Sequence, residues 1–152
     1  PSHDAGEAYE RGLALKKVGL HQDALQQFSL AAQDAALTFR AMAQVGICLK
    51  SLGQSEDAAT AFRKALQAQR GTSVDTIQVR YLLARTLESL GRIDDTLEHY
   101  RWIRREEPNF KDVAERIERL GGRRSPSPRN AEGTGDGSSW VAQLQRILGA
   151  SK

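Results

Sequence analysis

The sequence predicts an all-α solenoid of stacked helical hairpins, and three observations predict it. First, the 152-residue chain repeats itself at an offset of 34 residues: GLALKKVGLHQDALQQFSLAA, from Gly12, aligns with GICLKSLGQSEDAATAFRKAL, from Gly46. Second, a third copy, ARTLESLGRIDDTLEHYRWI, sets Ala84, Leu87, Gly91, Thr96, Tyr100 and Ile103 against Gly46, Leu49, Gly53, Ala58, Phe62 and Ala65. Third, each copy holds two runs of small or apolar residues at helical spacing, divided by a glycine.

The first helix of each copy buries one stripe: Ala8, Gly12 and Leu15; Met42, Val45, Gly46 and Leu49; Leu83, Ala84 and Leu87. Gly12 and Gly46 lack a side chain where the partner helix must come close, a gain set against about 1 kcal/mol of helix propensity relative to Ala. Gly19, Gly53 and Gly91 end these helices in the left-handed conformation that caps the last carbonyls. HQDA, SEDA and IDDT open the second helices, with acids in the first turn where the helix dipole favours them. Ala24, Phe28 and Ala31, and likewise Ala58, Phe62 and Ala65, share a face at i, i+4 and i+7. Four extra residues around QRGTSVDT add about one helical turn between copies two and three, which keeps every face in register. They read as a lengthened helix pair around a loop at residues 71–73, with Thr72 or Ser73 as the next N-cap.

On these residues the chain resembles the tetratricopeptide repeat, a helix-turn-helix unit of 34 residues, over 5–38, 39–72 and 77–110. The resemblance implies a right-handed superhelix of three repeats. Copy three departs at Ala84, Thr96 and Ile103, which implies slightly wider helix spacing. Pro108 stands where the family's repeat usually ends in proline.

After Pro108 a terminal helix over 110–120 sets Phe110, Val113, Ala114, Ile117 and Leu120 against Lys111, Asp112, Glu115, Arg116, Glu118 and Arg119. A solenoid needs such a cap, because its last repeat otherwise exposes an apolar face. The repeat domain thus spans 1–120. Residues 121–138, rich in Gly, Ser and Pro, read as a flexible linker. In 139–150, Trp140, Val141, Leu144, Ile147 and Leu148 form an apolar face opposite Gln143, Gln145 and Arg146. About ten residues are too few for a lone helix in water, so this segment requires a surface to fold on. The linker's reach of roughly 20 to 25 Å suffices to return to the solenoid.

Composition excludes more than it assigns. One cysteine, Cys48, rules out an internal disulfide and suits a reducing, cytoplasmic setting. No run is long and apolar enough for a membrane span, and the first residues lack the pattern of a signal peptide. The chain does not begin with Met and reads as one module of a longer assembly, with a bacterial character in its Ala- and Arg-rich composition. All of the formal +3 charge resides in 121–152, leaving a neutral body unlike a nucleic-acid binder. His3, His21 and His99 have no second ligand at metal-binding spacing. Cys48 has no neighbour that would activate it, and Asp94–Asp95 and Glu106–Glu107 are helix-end charges. YRWIRREEP reads as a solvated helix face, with Trp102 packed on the terminal helix. RRSPSPR reads as linker, with Ser125 and Ser127 open to a proline-directed kinase. No catalytic or metal site and no cofactor is expected.

Binding is what remains. In a stack of this kind the first helices line the concave side. That predicts a partner groove of Tyr9, Leu13, Lys16 and Lys17; Arg40, Ala43, Gln44, Ile47 and Lys50; and Tyr81, Arg85 and Glu88. Chaperone-binding members of the family hold a peptide's terminal carboxylate with Lys, Asn and Arg; here Tyr9, Leu13 and Gln44 stand at three of those positions, which disfavours that ligand. The expectation is a non-catalytic adaptor for a protein or peptide partner, with the tail helix docking in cis or trans. The alternative is a structural module whose tail bridges copies or binds a separate partner. Neither nucleic acid nor membrane insertion is expected.

Overall fold

A computed structural model describes residues 2–68 and 73–122. Residues 123–138 of the linker and the tail helix, like Thr72, lie outside the described residues, whereas Gly121, read as the start of the linker, is the last residue of α7. Seven helices follow one another among those residues: α1 Ser2–Lys17, α2 His21–Ala31, α3 Thr38–Ser51, α4 Ser55–Ala68, α5 Ser73–Ser89, α6 Ile93–Glu106 and α7 Val113–Gly121. Each packs chiefly on its neighbours in sequence, the pattern of a solenoid. Three antiparallel pairs, α1/α2, α3/α4 and α5/α6, are the three repeats, and α7 covers the last.

Steric necessity fixes how closely each pair packs. A Cβ built on Gly12 would lie 2.6 Å from Phe28 Cε1, and one on Gly46 would meet the Phe62 ring more closely still. Both rings are fully buried and flanked by Ala24 and Ala31 or Ala58 and Ala65, so neither has room to move aside. In the third pair Ala84 replaces the glycine and Tyr100 the phenylalanine, and the hydroxyl of the fully buried Tyr100 donates to Glu88 Oε1 at 2.8 Å. Gly19, Gly53 and Gly91 take φ of 87°, 79° and 77°, the left-handed turns that the spacing predicts.

The longer insertion between copies two and three is absorbed as helix. α4 runs to Ala68, past Ala65, the counterpart of the last residue of α2; α5 begins at Ser73, ahead of Thr76, the counterpart of the first residue of α3. α7 starts at Val113, later than the helix read over 110–120. It buries Val113, Ile117 and Leu120, while Ala114 is exposed. Three and four residues make one turn, so 113, 117 and 120 share a line that 114 misses.

Candidate functional site

Side chains join the first helices of the repeats in series, so that α1, α3 and α5 form an inner row. Arg40 of α3 lies over the Tyr9 ring of α1, 5.0 Å from its centroid. Lys16 Nζ donates to Gln44 Oε1 across α1 and α3 at 2.6 Å. Lys50 Nζ donates to Ser89 Oγ across α3 and α5 at 2.7 Å, and to Ser55 Oγ at 3.4 Å. The Tyr81 hydroxyl of α5 donates to Asp112 Oδ1 at the head of α7 at 2.7 Å.

The residues read as groove from the sequence separate into two layers. Tyr9, Ala43, Gln44, Ile47 and Tyr81 are buried, at 4% exposure or less, and form a bed. Leu13, Lys16, Lys50, Arg85 and Glu88 are half-buried, and Lys17 and Arg40 are exposed. The bed is deeper than sequence spacing suggests, because α3 is enclosed by a pair on each side; only Met42 and Lys50 interrupt its burial from Ala41 to Lys50. Tyr9 is fixed edge-on to Phe28, with ring centroids 5.5 Å apart, so it links this bed to the core of the first pair.

Burial tunes the charges of this face. Lys16 and Lys50 are both held below the usual lysine range, first by desolvation; the neighbouring Arg85 lowers Lys50 further. The Cys48 thiol, fully buried beneath Lys16, is pushed up to about 11 by burial, with the lysine charge pulling the other way. It is a packed thiol rather than a nucleophile.

At the C-terminal end lies a network that the sequence reading missed. Helical period puts Arg116 on the polar side of the cap helix, yet its side chain is only 15% exposed and turns inward. Its Nη1 donates to Glu88 Oε2 at 2.9 Å and its Nε to Asp112 Oδ2 at 2.7 Å. Glu88 also accepts from Tyr100, and Asp112 from Tyr81, so two carboxylates, two phenols and one guanidinium close on themselves. The i, i+4 spacing of Asp112 and Arg116 was the available signal. A second cluster joins α5 to α6: the Arg80 guanidinium stacks 4.1 Å above the Trp102 ring, and its Nη1 lies 3.2 Å from His99 Nδ1. Arg80 of α5 thus covers a face of the Trp102 ring. Burial first, and then the Arg80 charge, hold His99 below its usual value.

Among the described residues no three His, Cys, Asp or Glu side chains converge as a metal site, and no helix is long and apolar enough to cross a membrane. No protein-family model and no curated protein matches the chain. Solved structures do match. The first TPR of Spaghetti (RPAP3), bound to the HSP90 peptide SRMEEVD, superposes with a TM-score of 0.69 at 13% identity, covering 80% of this chain and 94% of that one. The chain has the tetratricopeptide-repeat fold.

Proposed function

We propose that the chain is a non-catalytic protein-interaction adaptor that holds a peptide or helix of a partner along its inner row. The observation that carries this reading is the layering of that row: a rigid bed of buried side chains under accessible Leu13, Lys16, Arg40, Lys50 and Arg85. Preformed apolar concavities with a few oriented polar groups suit ligand docking, and Tyr and Arg are frequent interface anchors. The similar solved domain, which holds an HSP90 peptide, supports peptide docking as the use of this fold. Its ligand does not transfer by chemistry, because Tyr9 and Gln44 are buried where the chaperone-binding set would hold a terminal carboxylate.

The tail segment is part of the proposal. Trp140, Val141, Leu144, Ile147 and Leu148 form by pattern an apolar helix face that docks in the groove of its own chain or of a second copy, where a partner must displace it. Fluorescence of Trp140 in a Trp102→Phe background tests this. The expected emission is blue-shifted; independence of protein concentration assigns docking within one chain, and dependence assigns a bridge between copies. Emission like that of tryptophan in water sinks tail docking.

A further inference from the structure

Lys16 and Lys50 stand at the same position of successive repeats, 34 residues apart, and both turn into the inner row half-buried. Their hydrogen-bond acceptors, Gln44, Ser89 and Ser55, are all neutral. An ammonium withdrawn from water without a carboxylate partner loses hydration that nothing charged replaces. The helix dipole accounts for lysine in a last turn, but exposed Lys17 of α1 meets that requirement without burial. In the third copy the equivalent position is Glu88, and there the structure supplies the counter-ion Arg116. Glu88 and Asp112 are thus already bonded to Arg116, while the hydrogen-bond acceptors of the two lysines are neutral and Lys50 has the like charge of Arg85 beside it.

Resting on the reading of this row as a peptide-docking face, we propose that its ligand is an acidic peptide segment whose side-chain carboxylates bind Lys16 and Lys50. A carboxylate arriving at each Nζ would replace or join a neutral acceptor with a charge-assisted bond, the stronger kind. Desolvation holds both lysines below the usual range, as burial without a carboxylate partner among the described residues requires. Successive acidic residues of an extended ligand would then be read by successive repeats.

The test uses the full chain and a fluorescein-labelled, C-terminally amidated peptide of alternating Glu and Ala, against the same peptide with Gln for Glu, by fluorescence polarisation. A parallel chain carrying Leu144→Asp and Ile147→Asp removes competition from the tail. The Glu peptide is expected to bind at least about tenfold more tightly, one charge-assisted pair being worth about that and two being formed, and more weakly as salt rises. Lys16→Gln with Lys50→Gln should abolish the difference in a chain that stays folded by circular dichroism, because the glutamine amide can still donate to the same acceptors. Equal binding of both peptides overturns the acidic ligand and leaves the docking face intact. A Glu preference that survives the double substitution, or binding seen only with a free terminal carboxylate, also overturns it. Binding of neither peptide to either chain sinks the docking face and the inference together.

Discussion

Replacing Phe62 with alanine is expected to destabilise the chain by about 3–5 kcal/mol, the usual cost of deleting a fully buried phenyl ring. The ring fills the space between Gly46, Ala58 and Ala65 in the central pair, so its loss leaves a cavity that rigid helices cannot close. The companion substitution gives a sharper test, because its sign is at stake. Gly46→Ala gains about 1 kcal/mol of helix propensity, but its Cβ lands on the Phe62 ring, and overpacking costs about 1–3 kcal/mol. Net destabilisation is expected. In a Phe62→Leu background the obstacle shrinks, and Gly46→Ala should become neutral or stabilising. Urea titrations followed by circular dichroism measure all four corners of the cycle; a stabilising Gly46→Ala with Phe62 in place would refute the close approach.

The second large effect lies at Arg116. Substitution by alanine leaves Glu88 and Asp112 without their shared cation, at a cost of about 2 kcal/mol, below the full penalty for a buried pair because the carboxylates keep some water. The effect should depend on pH with a definite sign. Burial alone would raise Asp112, but the Tyr81 hydroxyl and Arg116 together hold it below its ordinary value of 3.8. A carboxylate lowered on folding contributes stability above that value and loses it as the pH falls further. The gap between the native chain and Arg116→Ala should therefore narrow in acid, when Asp112 is protonated and no longer needs the cation. Thermal melts of both proteins at neutral pH and near pH 3 check this; a gap independent of pH would mean that Arg116 acts by packing alone.

The fold was legible because it rests on local periodicity. Gly12 with Phe28 and Gly46 with Phe62 are steric pairs within one hairpin, and the repeat displays them twice; Gly19, Gly53 and Gly91 mark turns that only a left-handed residue closes easily. The inner row was legible as a set of positions but not as depths. Gln44 and Ile47 lie below the surface because helices on both sides enclose α3, a consequence of stacking rather than of the sequence around them. The pairings of Arg116 with Glu88, 28 residues away, and of Arg80 with His99 and Trp102 depend on how neighbouring helices are placed. Helical period assigns such side chains to a polar face and stops there.

The central claim is that the inner row is the working surface of the chain. Backbone amide NMR of the full-length protein, titrated with the amidated Glu-rich peptide, tests it most directly. The account predicts shifts confined to α1, α3 and α5, largest around Lys16 and Lys50. Shifts concentrated on α2, α4 and α6, with α1, α3 and α5 unmoved, would contradict it.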